Sequence, residues 1–167
     1  MSRAELVGYV PGALGRITQL HGTYYAQHWG LGLYFEAKVA IEMAEFLGRF
    51  NAEHDGMWFA RINGEIVGSI VIDGSQAASE GARLRWFIVD PVYQGQGVGR
   101  QLMDAAMDFC REKQFRRVYL TTFEGLAAAR HLYEKYGFQL CGEADGSHLT
   151  GNASLTEQVF EFLSTTH

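Results

Sequence analysis

The chain is 167 residues long, with 47% hydrophobic and 20% charged side chains and a net charge of −5. A chain of this length holds one domain and buries enough surface to fold without a metal or disulfide staple, and its ordinary globular composition excludes disorder as its main character. Only 14 Lys and Arg stand against 19 Asp and Glu, which argues against a nucleic-acid partner, and no run approaches the ~20 apolar residues of a membrane span.

Leu6 to Val10 predicts a short first strand before Pro11-Gly12. From Ala13 to His28 the residues Leu14, Ile17, Leu20 and Tyr24 recur at helical spacing. Gly30-Leu31-Gly32 breaks that pattern, and a second helix follows with Phe35, Val39, Met43, Phe46, Leu47 and Phe50 on one face. Met57–Ile62 and Glu65–Ile72 are β-rich runs joined by Asn63-Gly64, the preferred two-residue type I′ turn. Asp73 to Gly81 is a polar loop, and Arg83 to Val89 a strand ending at Asp90-Pro91. Val98 to Lys113 is expected as a helix with Val98, Leu102, Ala105 and Phe109 inward. Arg117 to Thr121 is a strand, and Ala127 to Tyr136 a helix stopped by Gly137 in its C′ position. Phe138–Cys141 and Leu155–Phe162 read as the closing strands. The order β-α-α-β-β-β-α-β-α-β-β implies an α/β fold with a mixed sheet.

Cys110 and Cys141 lie far apart without metal-ligand spacing, which reads as reduced thiols. The six histidines show no ligand spacing either, so no metal is expected. Met1 to Gly12 carries no long apolar run, so no signal peptide is expected. Together these features predict a cytoplasmic, single-domain protein with no nucleic-acid or membrane partner.

The residues that carry chemistry follow the central strand: Gln94-Gly95-Gln96-Gly97-Val98-Gly99-Arg100. Alternate glycines let the backbone turn tightly and bring successive N–H groups to one point. The helix starting near Val98 adds unpaired N–H donors and a partial positive charge, so the segment suits a pyrophosphate. It is not a dinucleotide fingerprint, because Arg100 occupies the third glycine position, and it has no Gly-Lys-Ser/Thr ending of a P-loop. Glycine spacing alone is equally compatible with a turn that holds no ligand.

Gln94-x-x-Gly97-x-Gly99 after Val89-Asp90-Pro91 resembles the acetyl-CoA-binding motif of the GNAT superfamily of N-acetyltransferases. Ala128-Ala129-Arg130-His131-Leu132-Tyr133-Glu134-Lys135-Tyr136-Gly137-Phe138 resembles that superfamily's second signature. More narrowly, His21-Gly22-Thr23-Tyr24-Tyr25-Ala26 and Trp29-Gly30…Phe35-Glu36-Ala37 are similar to the acetyltransferase half of bacterial MarR–GNAT fusion proteins. The resemblance spans essentially the whole chain. It implies the GNAT fold: a mixed sheet splayed at the acetyl-CoA site and flanked by about four helices. It also implies that backbone groups of Phe87, Ile88 and Val89 pair with the pantetheine arm, and that N–H groups from Gly95 to Arg100 hold the pyrophosphate.

Such an enzyme moves acetyl from acetyl-CoA to a primary amine by direct attack. The resemblance gives Tyr133 the place of the general acid that protonates the departing thiolate; on helical spacing alone, a core aromatic is the usual reading. The family's pattern breaks at the base. Positions where relatives carry a Glu are Thr121 and Arg83 here, and the Asn that many relatives use toward CoA is Leu126. Glu36 is the preferred candidate base, ahead of His28, Glu80, Glu124 or a water chain. The aromatic run Tyr24, Tyr25, Trp29, Tyr34 and Phe35 is expected to be partly core and partly the wall of an acceptor pocket. The acceptor is expected to be a small-molecule amine, with a protein amine or a CoA-binding module without turnover as alternatives. A homodimer through Leu155–Phe162 is the expected assembly.

Overall fold

A computed structural model describes residues 3–152 and 154–165, so His167 lies outside the described residues. In chain order the elements are β1 (Glu5–Val7), α1 (Ala13–Trp29), α2 (Leu33–Gly48), β2 (Gly56–Ile62), β3 (Glu65–Asp73), β4 (Ala82–Val89), α3 (Val98–Glu112), β5 (Arg117–Phe123), α4 (Ala127–Lys135), β6 (Gln139–Asp145), α5 (Ser147–Thr150) and β7 (Thr156–Leu163). A seven-stranded sheet runs β1-β2-β3-β4-β5-β7-β6. Every neighbouring pair is antiparallel except β4 and β5, which run parallel.

Local chemistry explains most of these elements. Asn63 and Gly64 take φ of 51° and 79°, the two left-handed residues a type I′ turn requires. Strand β3 is buried at every position after Glu65, as its nearly continuous apolar run demands when both faces of a sheet are covered. One face packs on α3 through Leu102, Met103 and Ala106. The other packs on α1 and α2 through Ile17, Leu20 and Met43. The inward stripe of α3 is rotated by about one residue from expectation. Met103, Ala106, Met107 and Cys110 are buried, whereas Ala105 and Phe109 are half-buried at its border. Phe109 meets Trp58 edge-on there at 5.4 Å.

The closing strands differ from expectation in their place. Strand β7 pairs with β5 from Arg117↔Leu163 to Phe123↔Glu157, and with β6 from Gln139↔Glu161 to Asp145↔Thr156. Both of its backbone edges are therefore used inside the sheet. The segment Leu155–Phe162 has no free edge with which to add a second copy. The outer edge belongs to β6, most of whose residues are exposed. The four-residue α5 between β6 and β7 was not anticipated.

One distortion positions the site. Val71 faces Arg85 and Ser69 faces Ile88, so three steps along β4 match two along β3. The extra residue is a β-bulge, with Trp86 at φ 46°. Ser69 Oγ donates to the Trp86 carbonyl at 2.6 Å, satisfying an oxygen at the irregular step. A bulge bends and twists its strand. Accordingly β4 pairs with β5 only at Ala82↔Val118 and Arg83↔Tyr119, and beyond Arg83 the two strands part.

Candidate active site

Two cavities open in this fork. The larger, about 640 Å³, is lined by Phe87, Ile88 and Val89 of β4, by Gln94, Gly95 and Gly99, and by the aromatic wall of Tyr24, Tyr25 and Trp29. The smaller, about 110 Å³, is bounded by Lys38 and Glu42 of α2, Arg83 and Arg85 of β4, Thr121 of β5, and Tyr133 of α4. Tyr25 and Phe87 line both, so the two spaces meet at these rings.

The larger cleft has the features of an anion cradle. Gly95 and Gly97 adopt φ of 82° and 84°, which a side chain would strain. The first backbone bond into α3 is Gln101 N–H to the Gly97 carbonyl, and no side chain caps the helix. The N–H groups of Val98, Gly99 and Arg100 therefore have no intrahelical partner and face a partial positive helix end. Gln94 Nε2 donates to the Val89 carbonyl at 3.2 Å, tying the loop to the end of β4. Gln96 is half-buried, Arg100 is exposed, and the Val98 side chain is buried beneath the helix. Leu126 lines the cleft.

Tyr133 is 6% exposed, packed against Phe87, Phe138 and Phe160 with ring centroids 6.0 to 6.3 Å away. Burial pushes its phenol well above the ordinary tyrosine range. The neighbouring Tyr25 shifts the same way, through burial first and then through Tyr133 and Tyr24. His21 is also buried in the small cavity's wall; its Nδ1 meets the Ile17 carbonyl at 2.9 Å. Burial lowers its pKa to about 4, so the ring is neutral near pH 7. Burial alone would raise Glu42, but the Lys38 hydrogen bond and the charges of Lys38, Arg85 and Arg83 outweigh it and hold the carboxyl below its usual range.

The structure does not bring Glu36 to this site. Phe35, Val39 and Glu42 fall at i, i+4 and i+7 on the face of α2 turned to the cavity. Glu36 is rotated about 100° away from Phe35 and is exposed. Its carboxyl overlies Gly22 of α1, where an added Cβ would lie 2.6 Å from Oε1. Glu80 and Glu124 are exposed and line neither cavity, whereas His28 lines the large cleft. Sequence reading missed Lys38, Glu42 and Arg85 as lining residues; Lys38 falls at i+3 from Phe35 inside the Phe35–Val39 stripe, and extending that stripe by one turn would have found Glu42. The aromatic run divides. Tyr24, Tyr25 and Trp29 wall the cleft and Phe35 the cavity, while Tyr34 is 56% exposed.

Among the described residues, three buried side-chain polar atoms lack a hydrogen-bond partner: Thr18 Oγ1, Trp29 Nε1 and Arg83 Nε. Trp29 lines the cleft and Arg83 the cavity, so two of the three belong to walls that a ligand would face. Among the described residues, no group of His, Cys, Asp and Glu stands together to hold a metal, and no helix is long and apolar enough to cross a membrane.

Residues 16–138 match the profile of the acetyltransferase (GNAT) family. The chain belongs to this family. Among curated relatives, the N-acetylaspartate synthetase of Danio rerio is 31% identical over 139 residues, which is 82% of this chain and 49% of that protein. The spermine/spermidine N(1)-acetyltransferase of Bacillus subtilis is 38% identical over 60 residues, 35% of this chain and 40% of that one. The chain thus spans about half the length, or less, of these curated relatives. A putative streptothricin acetyltransferase of Bacillus anthracis, solved with acetyl coenzyme A, superposes with a TM-score of 0.59 at 22% identity, covering 71% of this chain and 68% of that one.

Proposed function

We propose that this chain is a single catalytic domain that transfers acetyl from acetyl-CoA directly to a small primary amine. The observation that carries this reading is the fork between β4 and β5. Its large arm ends on the uncapped N-terminus of α3, its small arm contains Tyr133, and the two meet at Tyr25 and Phe87. The names of relatives acting on spermine or making N-acetylaspartate support a small acceptor, and the neighbour solved with acetyl coenzyme A supports the donor. A closer kinship to the acetyltransferase half of bacterial MarR–GNAT fusions, read from His21–Ala26, Trp29-Gly30 and Phe35–Ala37, is part of this proposal; Tyr25, Trp29 and Phe35 of those segments line the two cavities. Free Cys110 and Cys141 support a reducing, cytoplasmic setting, and the net charge of −5 supports the absence of a nucleic-acid partner.

In this reading the free amine attacks the thioester carbon, forming the C–N bond while the carbonyl electrons move to oxygen. Backbone N–H groups beside the bulge of β4 stabilise that oxyanion. Collapse breaks the C–S bond, and Tyr133 donates its proton to the sulfur. Its raised pKa suits this role, because the phenol stays protonated across the physiological range. The proton lost by nitrogen leaves through water and restores the phenol. Neither titratable candidate in the small cavity suits a base, since His21 is held near 4 and the Glu42 carboxylate is engaged with Lys38 and Arg85. A cysteine acyl-enzyme is disfavoured too: Cys110 is buried on the inner face of α3, and burial pushes its thiol up to about 12.

The test is release of free thiol from acetyl-CoA across a panel of small amines and basic peptides, against a blank without acceptor. Turnover of small amines is expected. Acetylation confined to peptides would overturn the acceptor class, and acetyl-CoA binding without any turnover would overturn the enzyme.

A further inference from the structure

Arg83 stands at the closed end of the fork, in the last residue pair that joins β4 to β5. Its Nη2 donates to Thr121 Oγ1 at 3.2 Å, while its Nε–H is buried with no partner. Among the described residues it has no carboxylate within ion-pairing distance. Exposed Glu80 lines a separate surface pocket with Arg83 but makes no ion pair with it, and the two other acids nearby are engaged. Glu42 is paired with Lys38 and Arg85, and Asp73 with Arg49 and Arg85. The wall of the small cavity therefore carries three cations, Lys38, Arg83 and Arg85, against the single carboxylate of Glu42.

We propose that the acetyl acceptor carries a carboxylate as well as its amine, and that Arg83 holds this carboxylate at the closed end of the small cavity. The proposal rests on the acetyltransferase reading above and names its substrate class: compact amino acids. A guanidinium offers a planar fork of donors that matches a carboxylate, and the orphaned Nε–H is one tine of that fork. A water molecule would satisfy Nε but would leave the guanidinium without a directly bonded carboxylate, its attraction to Glu42 being shared with Lys38 and Arg85. A polyamine fares worse, because its second ammonium would meet three cations. Size agrees: the cavity of about 110 Å³ is smaller than the ~150 Å³ apolar cavity that accepts benzene. The acceptor's amine then lies toward Tyr25 and Phe87, where the cavity joins the cleft.

The experiment compares α- and ω-amino acids, each beside its amide and its decarboxylated amine, as acceptors for the wild type, Arg83→Gln and Arg83→Lys. Acetyl-CoA binding by calorimetry serves as the check on folding. The wild type is expected to favour each accepted amino acid over its amide by at least about tenfold in kcat/KM. Arg83→Gln should remove that preference through the acceptor's KM, with acetyl-CoA affinity kept, and Arg83→Lys should restore part of it. Amides or polyamines used as well as amino acids would overturn the inference while leaving the acetyltransferase standing. So would an equal loss on amino acid and amide in Arg83→Gln. Acetyl-CoA binding with no turnover of any amine would overturn both. If Arg83→Gln fails to bind acetyl-CoA, the wild-type preference alone decides.

Discussion

Replacing Tyr133 by Phe isolates one oxygen atom. The ring sits among Phe87, Phe138 and Phe160 at 6.0, 6.1 and 6.3 Å, and Phe keeps all of that apolar contact. The change is nearly volume-conserving, so stability should move by less than about 1 kcal/mol. Catalysis should move far more. A positioned general acid contributes about 10²–10⁴-fold, so kcat should fall by that factor, or about 3–5 kcal/mol in barrier height. The acetyl-CoA KM should stay close to wild type, because Tyr133 does not line the large cleft. The pH profile supplies a second readout. Burial raises the phenol's pKa above its ordinary value near 10, so the wild type should keep its acid through pH 9 without an alkaline fall in kcat from this group. The assay is thiol release at saturating acetyl-CoA and amine, with denaturation midpoints measured alongside. A folded Tyr133→Phe enzyme within threefold of wild-type kcat would refute the assignment and leave Tyr133 a core aromatic.

Further outcomes follow from the same geometry. If water rather than a protein base takes the amine's proton, log kcat/KM should rise with unit slope up to the acceptor's own pKa; a break near pH 6–7 would instead reveal a protein base. His21 is neutral in the fold, with a pKa of about 4 against an ordinary 6.5. Between those values the unfolded chain binds a proton that the folded chain refuses, so acidification lowers stability, by up to roughly 3 kcal/mol at pH 4. His21→Gln should lose visibly less stability than wild type between pH 7 and 4.5 in denaturant titrations; identical losses would contradict the buried neutral ring. Gly125 has φ +107°, and a Cβ there would run into the Trp29 indole. Gly125→Ala should therefore cost about 2 kcal/mol and raise the acetyl-CoA KM severalfold, since Trp29 lines the cleft. A variant unchanged in both midpoint and KM would show that the ring simply moves aside.

Local chemistry made much of this protein readable in its sequence. The Asn63-Gly64 turn, the alternate glycines before α3 and the Gly137 stop of α4 all adopt the left-handed backbone their residue types announce. Alternation and helical periodicity located nearly every element, because those patterns depend on neighbours a few residues apart. The glycine loop and uncapped helix start proposed to hold the pyrophosphate are local in the same way: one loop and the first turn of one helix contain them.

Tertiary structure decided what depended on distant partners. Leu155–Phe162 reads as a terminal strand, yet the sheet seats β7 between β5 and β6, a choice made by pairing across the whole second half of the chain. The bulge at Trp86 leaves no mark in the alternation of β4, but it sets where the fork opens. Glu36 and Glu42 are equivalent as acidic residues on one helix; only the packing of α2 against the sheet turns Glu42 inward and Glu36 out. Thr121 and Arg83 are 38 residues apart in sequence and hydrogen-bonded in the fold. A sequence fixes side-chain chemistry and short-range geometry, whereas the charge of a cavity is the sum over walls that meet only when the chain has folded.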